Sequence, residues 1–123
     1  MLKSPAQLAD EARKEIPEVQ AADVRKDMDK GPLSYVLLDV RETQEQAAGI
    51  IPGASCLPRG IVELHIAKAV QDENAPIVCY CGGGTRSLFV AQQLKRMGYT
   101  NVKSMAGGFK AWTTGGHPVT RPE

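Results

Sequence analysis

The sequence predicts an α/β domain: a central parallel sheet with helices on both faces. Three observations predict it. Short apolar runs alternate with helix-period stretches along the whole chain. Two of those runs, Tyr35–Val40 and Ile77–Tyr80, are nearly continuous, as expected of strands covered on both sides. Glycine and proline punctuate the junctions between them, at Gly31-Pro32, Gly49, Pro52-Gly53, Pro76, Gly98 and Gly107-Gly108.

Pro5 to Glu15 reads as a first helix, with Ser4 as its cap, Pro5 at the first helical position, and Leu8, Ala9 and Ala12 as a narrow apolar stripe. Ile16-Pro17 stops it, and a second helix follows from about Ala22 to Lys30. After the Tyr35–Val40 strand, Glu42 to Ala48 forms a brief helix ended by Gly49. Ile50 to Ala54 is a turn into a short strand at Ser55-Cys56-Leu57, and Pro58 opens a helical stretch to about Val70. Beyond the Ile77–Tyr80 strand, Thr85 to Met97 is the strongest helix. Val90, Ala91, Leu94 and Met97 share one of its faces, Lys95 and Arg96 suit its last turn, and Gly98 ends it. Asn101 to Met105 is one more strand, and Gly107-Gly108 turns into a short helix through Trp112.

Composition narrows the class. With 123 residues, 42% of them apolar, the chain suits one domain with a real core. A net charge of +1, with no basic stretch interleaved with aromatics, gives no support for a nucleic-acid surface. No apolar run approaches the roughly 20 residues of a membrane span, and the charged N-terminus lacks a signal-peptide centre, so a cytoplasmic protein is expected. Three cysteines, an odd number, do not resemble a disulfide framework.

The most informative stretch is Cys81-Gly82-Gly83-Gly84-Thr85-Arg86-Ser87. A lone thiol ends an apolar strand, a glycine loop follows, and a helix begins at once. Backbone N–H groups in such a loop can point inward, and the helix adds the positive end of its dipole. An anion cradle with a sulfur at its base stabilises a thiolate, the form that acts as a nucleophile. In a parallel sheet the strand ending at Cys81 and the strand running into Asp39-Val40-Arg41 open toward the same crevice, so the two segments are expected to meet.

Such a thiolate can attack phosphorus, arsenic, a carbonyl or a sulfane sulfur. Acyl transfer wants a histidine to move protons, and only His65 and His117 exist, neither in a motif that places it beside Cys81. Sulfur transfer asks least: the thiolate takes the outer sulfur of a donor, an anion leaves, and the resulting persulfide fits the same ring of N–H donors.

The chain resembles a single-domain rhodanese, the sulfurtransferase homology domain, in an ordered series of segments. These are Leu38-Asp39-Val40-Arg41-Glu42, Gly49 to Ala54, Cys81 to Ser87, Gly98 to Val102, Ala106 to Trp112, and the tail Gly116-His117-Pro118-Val119. The likeness covers roughly residues 18 to 120, which makes residues 1–17 a helical extension and 18–123 the domain. It implies a three-layer rhodanese-like fold and a persulfide on Cys81. The amides of Gly82, Gly83, Gly84, Thr85 and Arg86 would line the sulfur pocket, and the Arg86 guanidinium would hold a sulfonate-like anion or brace the loop. Small sulfur donors and thiol acceptors are the implied partners, with a sulfur-relay protein as a further one, and neither cofactor nor metal is implied. Two departures stand out: Gly82 occupies a position that is often basic in the family, and Ile50 one that is usually histidine.

Two other readings stay open. A carrier or regulatory module would accept a persulfide and hand it to a partner protein. A cysteine-based phosphatase or arsenate reductase would use a similar cradle, but with five residues between cysteine and arginine where this chain has four, Gly82 to Thr85. Asp39 and Arg41 read first as a strand-end ion pair, with modulation of the site as a lesser role. Cys79 reads as a buried strand cysteine, because the two-residue step of strand from it to Cys81 spans about 6.6 Å, at the edge of disulfide reach, and a zinc ligand set is incomplete; Cys56, in another strand, reads the same way. Phe109 and Trp112 are expected to serve packing.

Overall fold

The computed structural model describes residues 1–122 and places twelve elements in the chain. They are α1 (Pro5–Arg13), β1 (Glu18–Val19), α2 (Ala21–Asp29), β2 (Val36–Asp39), α3 (Thr43–Ala48), β3 (Ser55–Cys56), a 3-10 turn (Arg59–Ile61), α4 (Val62–Ala69), β4 (Ile77–Tyr80), α5 (Thr85–Met97), β5 (Val102–Met105) and α6 (Gly108–Thr114). All five strands are parallel, in the order β1-β5-β4-β2-β3. The expected α/β architecture is therefore the observed one.

Side-chain alternation along β4 makes the three layers visible. Ile77 and Cys79 point into a core shared with Ala9, Ala12 and Ile16 of the α1 segment, Ile66 of α4, and Leu88, Ala91 and Leu94 of α5. Val78 and Tyr80 point the opposite way, toward Val24 of α2, Met105 and Trp112 of α6. Every β4 residue is buried, which explains why that run carries no polar alternation. α1 opens on the Ser4 cap that its sequence predicts, completed by Gln7 into a capping box, and packs in the same core as the rest of the domain.

The structure corrects several local expectations. α1 ends at Arg13 rather than Glu15, and the stretch after Pro58 divides into a 3-10 turn and α4. β1 was not foreseen. Its two residues pair only with β5, and Ser104 N–H donates to the Pro17 carbonyl (3.1 Å), so long-range partners make it a strand. Leu8 and Met97 lie outside the core at 43% and 46% exposure: the buried stripe of α1 is Ala9 and Ala12, and that of α5 ends at Leu94. Cys56, expected to be buried, is exposed: β3 is a two-residue edge strand with no layer over that side chain. Cys79 is buried, as expected, and desolvation pushes its thiol up to about 12.

β4 is the central strand, flanked by β5 on one side and β2 on the other. The carboxyl ends of β2, β4 and β5 thus open side by side, where a parallel sheet receives its ligand. No helix among the described residues is long and apolar enough to cross a membrane.

Candidate active site: a thiol at a helix N-terminus

The loop after β4 is held by the segment after β5. The turn at Gly107 and Gly108 adopts φ of +74° and +56°, and the first amides of α6 reach across to the loop. Phe109 N–H donates to the Cys81 carbonyl (2.7 Å) and Lys110 N–H to the Gly82 carbonyl (3.0 Å). Those carbonyls are thereby turned away from the cysteine side chain. A Cβ on Gly108 would stand 2.7 Å from the Gly82 carbonyl oxygen, and one on Gly84 (φ +100°) would stand 2.9 Å from Gly107 N. Both positions need glycine for its φ and for the close approach of two backbones. Gly108→Ala is expected to cost about 2 kcal/mol, from overpacking plus backbone strain, as read by urea denaturation. An unchanged midpoint would contradict this account of the turn.

Cys81 Sγ stands in for a helix cap. The N-cap of α5, Gly84, has no side chain to satisfy the first amides. The sulfur takes that place: it accepts from Gly84 N–H (3.1 Å) and Ser87 N–H (3.3 Å). Ser87, outside the expected loop set, adds its hydroxyl at 3.4 Å and rests on the buried Ser104 hydroxyl of β5 at 2.8 Å. No sequence pattern links Ser87 to Ser104, which lie on different elements. The amides of Thr85 and Arg86, the first two helical positions, have no intrahelical acceptor by their place in the helix. They are available to a second anionic atom beyond the sulfur. Cys81 is 1% exposed, so its thiol lies almost wholly beneath the surface.

Arg86 does not point into the ring. Its guanidinium makes a fork-to-fork pair with Glu45 of α3, Nη1 to Oε1 at 2.7 Å and Nη2 to Oε2 at 3.0 Å. Glu45, missed from the sequence, is a first-turn residue of α3 that also accepts from Glu42 N–H (3.0 Å). The Arg86 hydrogen bonds hold its carboxyl down at about 2, against partial desolvation. The pair joins the first turn of α5 to the first turn of α3.

Asp39 and Arg41 form a fully buried ion pair, with Nη2 to Oδ2 at 2.8 Å and exposures of 0% and 4%. Arg41 also donates to the Gly49 carbonyl (2.6 Å) and lies 4.1 Å over the Phe109 ring. Gln46 Nε2 caps both strand-end carbonyls, of Asp39 and of Arg41, at 3.0 Å each. The pair therefore ties β2, the Gly49 corner and α6 together, as a strand-end pair should. Ile50 forms a bridge with Thr120 in the tail. Trp112 is wholly buried and donates to the Pro118 carbonyl (2.7 Å), while His117 packs on its ring and His65 is exposed on α4. Neither histidine contacts Cys81 among the described residues.

Comparison with known proteins agrees with this architecture. The sequence profile of the rhodanese-like domain matches residues 20–114. A sulfurtransferase of Allochromatium vinosum is 34% identical over 88 residues, covering 72% of this chain and 80% of that protein. The thiosulfate sulfurtransferase GlpE of Pseudomonas putida is 36% identical over 99 residues, covering 80% and 84%. Among solved structures, a Rhodopseudomonas palustris protein of unknown function, described as a possible tyrosine phosphatase, superposes with a TM-score of 0.89 at 30% identity, covering 98% and 96%. The match over most of the chain, on a parallel sheet that carries Cys81 at the head of α5, establishes that the chain belongs to the rhodanese-like domain family.

Proposed function

We propose that the protein is a sulfurtransferase that moves a sulfane sulfur from a donor such as thiosulfate or a persulfide to a thiol or other nucleophilic acceptor, through a persulfide on Cys81. The observation that carries this reading is the cap. Cys81 Sγ already accepts two backbone amides at the head of α5, and the first two amides of that helix, of Thr85 and Arg86, have no acceptor within it. Donors placed for one sulfur and then for a second are what a thiolate and its persulfide require.

In the first half-reaction the Cys81 thiolate attacks the outer sulfur of the donor. The donor's S–S bond breaks and its electron pair leaves with the inner fragment, sulfite in the case of thiosulfate. The persulfide keeps the transferred sulfur until an acceptor thiolate attacks it, returning Cys81 as thiolate. Neither half needs a general base once the thiol is ionised, which fits a site without a neighbouring histidine.

The phosphatase reading has support in the name given to the R. palustris neighbour. Against it stand the four-residue ring between Cys81 and Arg86, the burial of the sulfur, and the turning of Arg86 onto Glu45. Incubation with thiosulfate and an acceptor thiol is expected to release sulfite over many turnovers, with no phosphate released from p-nitrophenyl phosphate. Loading of one sulfur without turnover, discharged only onto a protein, would make the chain a carrier. Phosphate release with no sulfur uptake would overturn the proposal.

A further inference from the structure

Two buried serine hydroxyls stand in line behind the sulfur. Ser87 Oγ lies 3.4 Å from Cys81 Sγ, 3.3 Å from the Gly84 carbonyl oxygen and 2.8 Å from Ser104 Oγ. Both serines are wholly buried. Ser104 is fixed by its strand: it pairs with Cys79 of β4, two residues before the nucleophile, and its N–H donates to the Pro17 carbonyl. Counting protons gives the line its direction. Among the described residues, Ser87 Oγ is the one hydrogen-bond neighbour of the Ser104 hydroxyl. If Ser87 donated to Ser104, the Ser104 proton would be left in the core without an acceptor, an arrangement that costs free energy and is rare. Ser104 therefore donates to Ser87, and the Ser87 proton is left with two acceptors, the Gly84 carbonyl and Sγ. A charged sulfur is the stronger acceptor of the two, and donation from Ser104 polarises the hydroxyl that serves it. A neutral sulfur is the weaker one, and the proton then turns to the carbonyl.

We propose that Ser87 is a further catalytic residue, a hydroxyl that turns onto Cys81 Sγ as that sulfur leaves the persulfide, and that Ser104 is its positioning residue. This inference rests on the proposed persulfide chemistry of Cys81. In loading, Cys81–S⁻ attacks the outer sulfur of thiosulfate and sulfite leaves with the electron pair; three negative charges stand on each side. Charge departs from Sγ in that step and settles on the outer sulfur, so the Ser87 bond weakens as the step proceeds. In release, an acceptor such as cyanide attacks the outer sulfur, the S–S bond breaks, and the pair returns to Sγ. Cyanide becomes thiocyanate, Cys81 becomes a thiolate, and two negative charges stand on each side. Charge now arrives on Sγ, so the Ser87 bond strengthens in the transition state, which is where a donor accelerates a step. The backbone amides of Gly84 and Ser87 are fixed throughout, whereas the hydroxyl can turn. The serine pair thus speeds sulfur release and not sulfur uptake.

The test follows the two half-reactions separately at mildly alkaline pH: sulfite freed on loading from thiosulfate, and thiocyanate formed when loaded protein meets cyanide. Ser87→Ala is expected to slow release by roughly three- to ten-fold. It should leave loading unchanged or faster, since a less stabilised thiolate is the better nucleophile. Ser104→Ala is expected to slow release by about twofold, and to add nothing in a Ser87→Ala background because it acts through Ser87. The double variant removes both hydroxyls at once, so it leaves no buried serine unpaired and supplies the same reading if Ser87→Ala folds poorly. Equal slowing of the two halves would mean that the serines only shape the loop, and unchanged release that the hydroxyl does not serve the sulfur; either result overturns the proposal. An effect of Ser104→Ala that persists without the Ser87 hydroxyl overturns the role given to Ser104. Failure of the underlying chemistry looks different: the wild type would then carry no sulfur to release.

Discussion

Cys81→Ser is expected to abolish sulfur uptake and to slow transfer by at least about 10³-fold, the scale seen when a covalent nucleophile is removed. Intact-mass measurement after incubation with a sulfane donor should show wild type gaining one sulfur, about 32 Da, and the variant gaining none. The fold should survive, because a serine oxygen can accept from the same two amides that now hold Sγ, those of Gly84 and Ser87. The structure also names the rival acceptor. Cys56 is exposed on the edge strand, whereas Cys79 is fully buried and its thiol is pushed up to about 12. Cys56→Ser should therefore load sulfur as the wild type does. If Cys81→Ser still gains the mass and Cys56→Ser does not, the nucleophile has been misassigned.

The largest stability effect is expected at Asp39. Asp39→Ala leaves the Arg41 guanidinium 4% exposed with only the Gly49 carbonyl and an aromatic face for company. Burial alone works against the Arg41 charge, and the hydrogen bonds and charge of Asp39 are what outweigh it. Removing one partner of a buried pair costs about 3–5 kcal/mol, since the other is left uncompensated. Urea denaturation of Asp39→Ala should show a loss of that size. The double variant Asp39→Leu/Arg41→Met should lose less, as apolar groups replace both charges. A loss under about 1 kcal/mol in the single variant would mean that the pair is not the tie its geometry describes. Sulfur loading per folded molecule separates the two roles expected of the pair: a tie alone leaves it unchanged in Asp39→Ala, and modulation of the site lowers it.

Much of this molecule was legible in the sequence because the signals are local. The continuous apolar run of β4 follows from burial on both faces, and the Thr85–Met97 stretch has its helical period and its terminal glycine within thirteen residues. The loop could be read for the same reason: thiol, glycines and helix start are adjacent in the chain. Where local signal is absent, the sequence is silent. β1 is two residues long and exists through β5, and Cys56 was placed in a strand without any sign that the strand lies at an edge.

By itself the sequence determined the parallel α/β plan, the cysteine at the head of a helix, and the size of the ring around it. The tertiary structure alone decided what surrounds that cysteine. Ser104 reaches the site through Ser87, from a strand seventeen residues downstream. The turn at Gly107 and Gly108 holds the loop carbonyls, and Glu45 arrives from forty-one residues upstream to take Arg86. Hydrogen bonds and ion pairs act over about 3 Å in space and carry no period along the chain. A sequence can therefore display its nucleophile while leaving to the fold which charges stand beside it.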